Sequence, residues 1–200
     1  PLECKLVSQT GHQPGTVEAS PLAMGQYVLL AENDRATTSR LRVLNASKAE
    51  QRLADVAEQR VEGHIRDDMI LRGNQLFVAS AGPRLTVFNV SDDKNQKTLA
   101  QIATLQIPTS HAGAAHLAAG TDGQIWLAVG ALRKVVLKTT ALQLDQQDKI
   151  AVGQSTQPLQ MIGRNLYVGR QLPLGQAVHL TQADGESMES NWKPVVGARL

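Results

Sequence analysis

The chain has a single cysteine, Cys4, so no intrachain disulfide and no cysteine metal cluster can be built from it. A lone thiol of this kind reads as incidental or buried. Aromatic residues are scarce at 3%. With 42% hydrophobic residues there is enough to bury, but the core must be mostly Leu, Val, Ile and Ala. No apolar run approaches the ~18 residues of a membrane span. Charge of one sign is also lacking: 20 basic and 18 acidic residues leave a formal charge of +2 with no basic block. That balance excludes the electrostatic footprint of a nucleic-acid-binding surface. Catalytic signatures are missing as well. There is no Gly-x-Ser-x-Gly elbow among the serines and no Gly-x-x-x-x-Gly-Lys phosphate loop.

What the chain does have is a repeat. Gly73-Asn74-Gln75-Leu76-Phe77-Val78-Ala79-Ser80 reads as a short apolar strand. The turn Ala81-Gly82-Pro83 follows it, then a second strand, Arg84-Leu85-Thr86-Val87-Phe88-Asn89. Variants occur at Gly25–Leu30, Gly123–Ala128 and Gly163–Val168, each with an aromatic two to four residues after a glycine. The aromatics Tyr27, Phe77, Trp126 and Tyr167 are 50, 49 and 41 residues apart and are four of the six in the chain. A 40–50-residue period made of short strands predicts β-propeller blades.

In chain order, Leu2 to Thr10 is strand-like and Gly11-His12-Gln13-Pro14-Gly15 is a turn. Arg40-Leu41-Arg42-Val43-Leu44-Asn45 matches Arg84–Asn89 at a spacing of 44. Alternation sets Leu41 and Val43 on one face and leaves Arg40 and Arg42 outside. Over residues 47–63 two signals conflict. Ser47-Lys48-Ala49-Glu50 has capping-box spacing and helical propensity follows it. Yet Leu53-Ala54-Asp55-Val56-Ala57 repeats as Leu99-Ala100-Gln101-Ile102-Ala103, 46 residues on, and the second copy runs into an alternating strand. Equivalent repeats share a structure, so both are read as outer strands, with Leu53 to Val61 paired to Arg40–Asn45.

The third unit runs from Ala114 through Trp126 to Val135-Val136-Leu137-Lys138. It has a hairpin at Thr121-Asp122-Gly123 and an outer strand at Lys149-Ile150-Ala151-Val152. The fourth opens at Pro158-Leu159-Gln160-Met161, an echo of Pro21-Leu22-Ala23-Met24. It continues through Ala177–Leu180 to an outer strand at Asn191–Val196. The expectation is one all-β repeat domain over residues 1–200, with about four four-stranded antiparallel blades at roughly 17–63, 64–111, 112–154 and 155–197. Residues 2–8 are then a surplus outer strand, which marks the chain as an arc of a larger propeller rather than a small closed ring.

The pattern Gly-x-x-Leu-Phe-Val-Ala-Ser-x-Gly-x-x-Leu-x-Val-Phe-Asn-Val, set on residues 73–90, resembles the repeats of pyrroloquinoline-quinone-type (quinoprotein-like) propellers. The resemblance covers most of residues 16–197. The Asp-Ala-x-Thr-Gly turn of those repeats is reduced here to Asn45-Ala46-Ser47 and Asn89-Val90-Ser91, and their tryptophan to Trp192. The resemblance implies a blade geometry and a periplasmic or secreted setting. No residue here matches a quinone site.

Candidate chemistry is thin, and no catalytic, cofactor-binding or metal-ligating residue is nominated. The four repeat aromatics are read as inter-sheet core rather than a stacking platform. His64 and His111 stand 47 residues apart at matching junctions, and His116 lies five residues beyond His111. No carboxylate or cysteine stands at ligand spacing beside them. Asp67-Asp68 and Asp92-Asp93 are read as solvated turn residues, because adjacent carboxylates on a strand cannot both reach one scissile bond. Asn45-Ala46-Ser47 and Asn89-Val90-Ser91 are formal sequons, but their equivalence points to an Asn that hydrogen-bonds its own backbone at a strand end.

The expected function is therefore a non-catalytic scaffold without a cofactor. Its loops bind a protein partner or other domains of a longer polypeptide. The alternative is part of the wall of a quinoprotein-like dehydrogenase. That reading needs a cofactor-stacking tryptophan and converging polar residues.

Overall fold

The computed structural model describes residues 11, 15–35, 37–47, 53–66, 69–93, 96–107, 115–120, 123–138, 141–144, 150–153, 159–162, 165–172, 175–184 and 187–193, with the backbone alone at 93, 96, 138, 141, 142, 144, 150–153 and 168–193. The surplus strand expected at residues 2–8, Asp67-Asp68, Asp122, His12, His111 and most of the capping-box segment lie outside the described residues.

Four antiparallel four-stranded sheets follow one another along the chain. The first is β1 (Leu22–Met24), β2 (Tyr27–Asn33), β3 (Thr38–Asn45) and β4 (Ala54–Glu62). The second is β5 (Ile70–Arg72), β6 (Gln75–Ser80), β7 (Arg84–Asp93) and β8 (Gln96–Gln106). The third holds β9 (His116–Ala119), β10 (Ile125–Lys138), β11 (Ala141–Leu144) and β12 (Ile150–Gly153). The fourth is β13 (Gln160–Ile162), β14 (Asn165–Leu172), β15 (Gly175–Asp184) and β16 (Ser187–Lys193). In the first, second and fourth sheets spatial order equals chain order.

The innermost hairpins are set by glycine. Gly25-Gln26 and Gly73-Asn74 are two-residue loops whose glycines take φ of 63° and 56°. A positive φ at that position matches the loop twist to the strands it joins. This hairpin register makes Phe77 the counterpart of Leu29 rather than of Tyr27, since Leu29 pairs with Leu22 and Phe77 with Ile70. Tyr27 and Phe77 nevertheless point the same way, because two residues along a strand restore the face.

Over residues 53–63, the conflict between helix propensity and the repeat resolves in favour of the repeat. Ala54–Glu62 is extended and pairs with β3 from Asn45↔Ala54 to Thr38↔Glu62. The shared Leu-Ala-x-Val/Ile-Ala motif also has a specific job. In both outer strands the register slips at one place: Val43 faces Ala57 while Leu44 faces Asp55, and Val87 faces Ala103 while Phe88 faces Gln101. Val56 and Ile102 are the extra residues, so the repeat encodes a β-bulge at the same point of each blade.

Two expectations need correcting. Val135–Lys138 is not a separate strand, because β10 runs unbroken for 14 residues. Its first part pairs with β9, Gly130–Leu132 with β12, and Val135–Lys138 with β11. Between Val129 and Val135 the only turn-prone residue is Gly130. At φ 63° it is absorbed as an irregularity where the β12 register shifts. Second, Asn89-Val90-Ser91 is not a turn and Asp92 is not in a loop, since β7 continues to Asp93. The Ser91 and Thr98 hydroxyls pair across the ladder at 2.8 Å and Lys97 bonds Asp92 at 2.7 Å, which carries the hairpin four residues past Asn89. Asn45 does end its strand, and its Oδ1 accepts from the Ser47 N–H at 2.8 Å, the turn expected there.

Three apolar layers lie between successive sheets. Tyr27, Leu29, Ala31, Leu41 and Val43 meet Leu76, Val78, Phe88, Val90 and Leu99. Phe77, Ala79, Leu85 and Val87 meet Leu117, Ile125, Leu127, Val129 and Val135. Trp126, Ala128 and Leu132 meet Leu159 and Leu166. Thus Tyr27, Phe77 and Trp126 are each buried under the following sheet, on the same face of their strands although Tyr27 and Phe77 are not register-equivalent. Tyr167, on the far side of the fourth sheet from Leu166, is half-buried. Element packing joins first to second, second to third and third to fourth sheets.

Candidate binding cleft on the loop rim

Strands β2 and β6 start at the glycine hairpins and end at the opposite rim, where the β2–β3 and β6–β7 connections meet the crossing from β4 to β5. That crossing is held by a buried polar clasp. Asn33, 1% exposed, uses its side-chain amide on both backbone groups of Ile65: Nδ2 donates to the carbonyl at 2.9 Å and Oδ1 accepts from the N–H at 2.9 Å. Ser39 Oγ accepts from the Ile65 N–H at 3.0 Å and lies 2.7 Å from Asn33 Oδ1 and 2.8 Å from the Gly63 carbonyl, either of which can take its one proton. In the next blade Ser80 Oγ bonds the Glu62 carbonyl at 2.7 Å, and Ala81 N–H donates to the His64 carbonyl at 2.8 Å. The Asn33, Ser39 and Ile65 groups are buried and would cost free energy unpaired, which fixes the path of the crossing there. Gly63 takes φ 85°, and any Cβ there would lie inside contact distance of the Ala81 carbonyl oxygen.

Over this clasp opens a cleft of about 360 Å³ between the first two sheets, lined by Thr37, Thr38, Glu62, Gly63, His64, Ala81, Gly82 and Arg84. Its walls are small residues and hydroxyls. Arg84 is its cation and pairs with Glu62. Behind Arg84, Gln106 Oε1 accepts from the guanidinium Nε at 3.0 Å, while Gln106 Nε2 donates to the Gly82 and Pro83 carbonyls. His64 Nε2 stands 3.7 Å from Asp34 Oδ1, beyond hydrogen-bond reach, and is buried without a hydrogen-bond partner.

A second polar cluster lies on the outward face of the first sheet. Arg42 donates to Glu32 at 2.5 Å, to both Asp55 oxygens at 2.7 Å, and to the Gly11 carbonyl at 3.1 Å. Arg40 also bonds Glu32, at 2.5 Å. Alternation does place Arg40 and Arg42 opposite Leu41 and Val43, but Arg42 is 3% exposed rather than outside, because Glu32 and Asp55 neutralise it within the sheet. The Asp55 hydrogen bonds first, and then those of Glu32, hold the Arg42 guanidinium above its ordinary value against the opposing effect of burial. This cluster is internally satisfied and offers little to a ligand.

Of the histidines whose side chains are described, His64 is on the rim and His116 is buried in β9, and no group of three metal-ligating side chains occurs among the described residues. The cleft itself was not singled out from sequence. Its residues come from three connections far apart in the chain, and the only signal was the pairing of turns with the Gly63-His64 junction. No helix among the described residues is long and apolar enough to cross a membrane.

No family model and no curated protein matches the chain. Solved structures do. Sqt1 from Chaetomium thermophilum, a β-propeller protein, superposes with a TM-score of 0.60 at 18% identity, over 86% of this chain and 45% of that one. A second structure of Sqt1 from the same organism gives 0.63 at 18% identity, over 91% and 47%. The chain folds as an arc of β-propeller blades. It spans under half the length of these solved proteins, and at such identity the likeness is one of fold.

Proposed function

We propose that this arc is a non-catalytic scaffold that binds a protein partner through the rim cleft between the first two sheets, as part of a longer propeller polypeptide. The observation that carries this reading is a division of labour. The large side chains Tyr27, Phe77 and Trp126 are spent between sheets, whereas the rim presents a clasped cleft of hydroxyls, small residues, His64 and the Arg84–Glu62 ion pair. Rigid blades with recognition on their connecting loops are what such a distribution serves. Trp126, 3% exposed, has no free face for stacking a cofactor, so the dehydrogenase-wall alternative has no observation in its favour.

The test is site-specific photo-crosslinking in the source cells, with a benzophenone side chain placed at Thr37 in the cleft or at Gln26 on the opposite rim. The scaffold reading expects a discrete protein adduct from Thr37 and none from Gln26. Equal labelling from both rims, or none from either, would overturn it.

A further inference from the structure

The Arg84 guanidinium is unusual in how it is held. Gln106 grips it from behind through Nε, and is itself anchored on two carbonyls of the β6–β7 turn. The rear of the fork is therefore tied to the backbone of the turn through the exposed Gln106 side chain. The front is faced by Glu62, whose side chain is 73% exposed, against 26% for Arg84. An exposed carboxylate of this kind contributes little through its ion pair and exchanges readily with another. The cleft into which the fork looks is lined on the near side by the hydroxyl residues Thr37 and Thr38. Gly82 adds open space, since nothing lies within 4 Å of where its Cβ would be.

We propose, resting on the scaffold reading above, that this cleft recognises an acidic segment of a partner protein, whose carboxylate replaces Glu62 on Arg84. Glu62 is then an internal placeholder. It keeps the fork ordered and its charge balanced while the cleft is empty, and it competes with the incoming side chain. Arginine suits this task because its planar fork takes a carboxylate bidentately, and a pre-oriented fork loses less freedom on binding. The Thr37 hydroxyl can serve a flanking peptide group as donor or acceptor, whereas Thr38 Oγ1 already donates to Asp34 and can only accept.

The probes are two fluorescein-labelled decapeptides, one alternating Glu and Ser and its neutral counterpart alternating Gln and Ser. They are titrated by anisotropy into the full chain and its variants at low and at physiological salt. The acidic peptide binds, more weakly at higher salt, and the Gln peptide does not. Glu62→Gln tightens binding roughly two- to fivefold, the range set by removing a weak surface competitor. Arg84→Gln weakens it on the order of tenfold or more, and Arg84→Lys is intermediate because charge survives without the fork. Circular dichroism checks that each variant remains folded. Glu62→Gln is decisive, because a purely structural ion pair predicts unchanged or weaker binding when it is broken. Equal binding of both peptides, or no effect of Glu62→Gln and Arg84→Gln, overturns the proposal. A Thr37 adduct without acidic-peptide binding overturns it and leaves the scaffold reading standing; absence of both removes the two together.

Discussion

At the scale of single residues, stability rests on a few side chains whose surroundings admit no substitute. Phe77 is buried between the second and third sheets among aliphatic neighbours. Phe77→Ala removes a large apolar volume that those neighbours cannot refill, and should cost about 3–5 kcal/mol in chemical denaturation. Asn33→Ala deletes the donor to the buried Ile65 carbonyl and one of the two acceptors of the Ile65 N–H, the other being Ser39 Oγ at 3.0 Å. Leaving the carbonyl unpaired should cost about 1–3 kcal/mol, with faster hydrogen exchange at the Ile65 amide, now held by Ser39 alone, as the specific sign. An unchanged Ile65 exchange rate would show that the clasp does not hold the crossing. Arg42 adds no pH dependence near neutrality. Its raised pKa means that its contribution is complete below the ordinary arginine range and is lost only as pH rises through the higher folded value. A stability profile flat in Arg42 between pH 6 and 9 is thus the expectation, checked as a difference between wild type and Arg42→Met.

Among the elements, what could be read from sequence was what the repeat states twice. The pairing of Arg40–Asn45 with Leu53–Val61 was legible because Leu53–Ala57 and Leu99–Ala103 spell one motif, and the repeat outweighed the helix propensity of the first copy. The bulge was not legible. Val56 and Ile102 look like ordinary members of an alternating strand, and only the paired register exposes them as extra residues. The bulge has a consequence for packing: Leu99 joins the layer beneath the first sheet while Leu105, six residues on, packs toward the third. In an unbulged strand these residues would share a face. Double-mutant cycles should therefore couple Leu99→Ala with Val56→Ala, and Leu105→Ala with Leu137→Ala, by about 0.5–3 kcal/mol. Coupling of both leucines to the same partner would mean a regular strand. The third sheet misled for a different reason. A lone glycine reads equally as turn or bulge, and without a second turn residue Gly130 became the latter.

For the whole molecule, the architecture was legible from periodicity and the cleft was not. Strand alternation and the recurring glycine–aromatic pair report on packing between neighbours in sequence. The cleft is assembled by residues 37–38, 62–64, 81–82 and 84, which no local pattern brings together. The central claim is that the large residues are structural and the rim is left for recognition. Trp126 tests it most directly, because it is buried in the layer between the third and fourth sheets, where a dehydrogenase wall would need it open for stacking. With only Trp126 and Trp192 in the chain, Trp192→Phe isolates its fluorescence. The account predicts blue-shifted emission from Trp126, resistant to acrylamide and indifferent to added pyrroloquinoline quinone. Red-shifted emission quenched by micromolar quinone would contradict it.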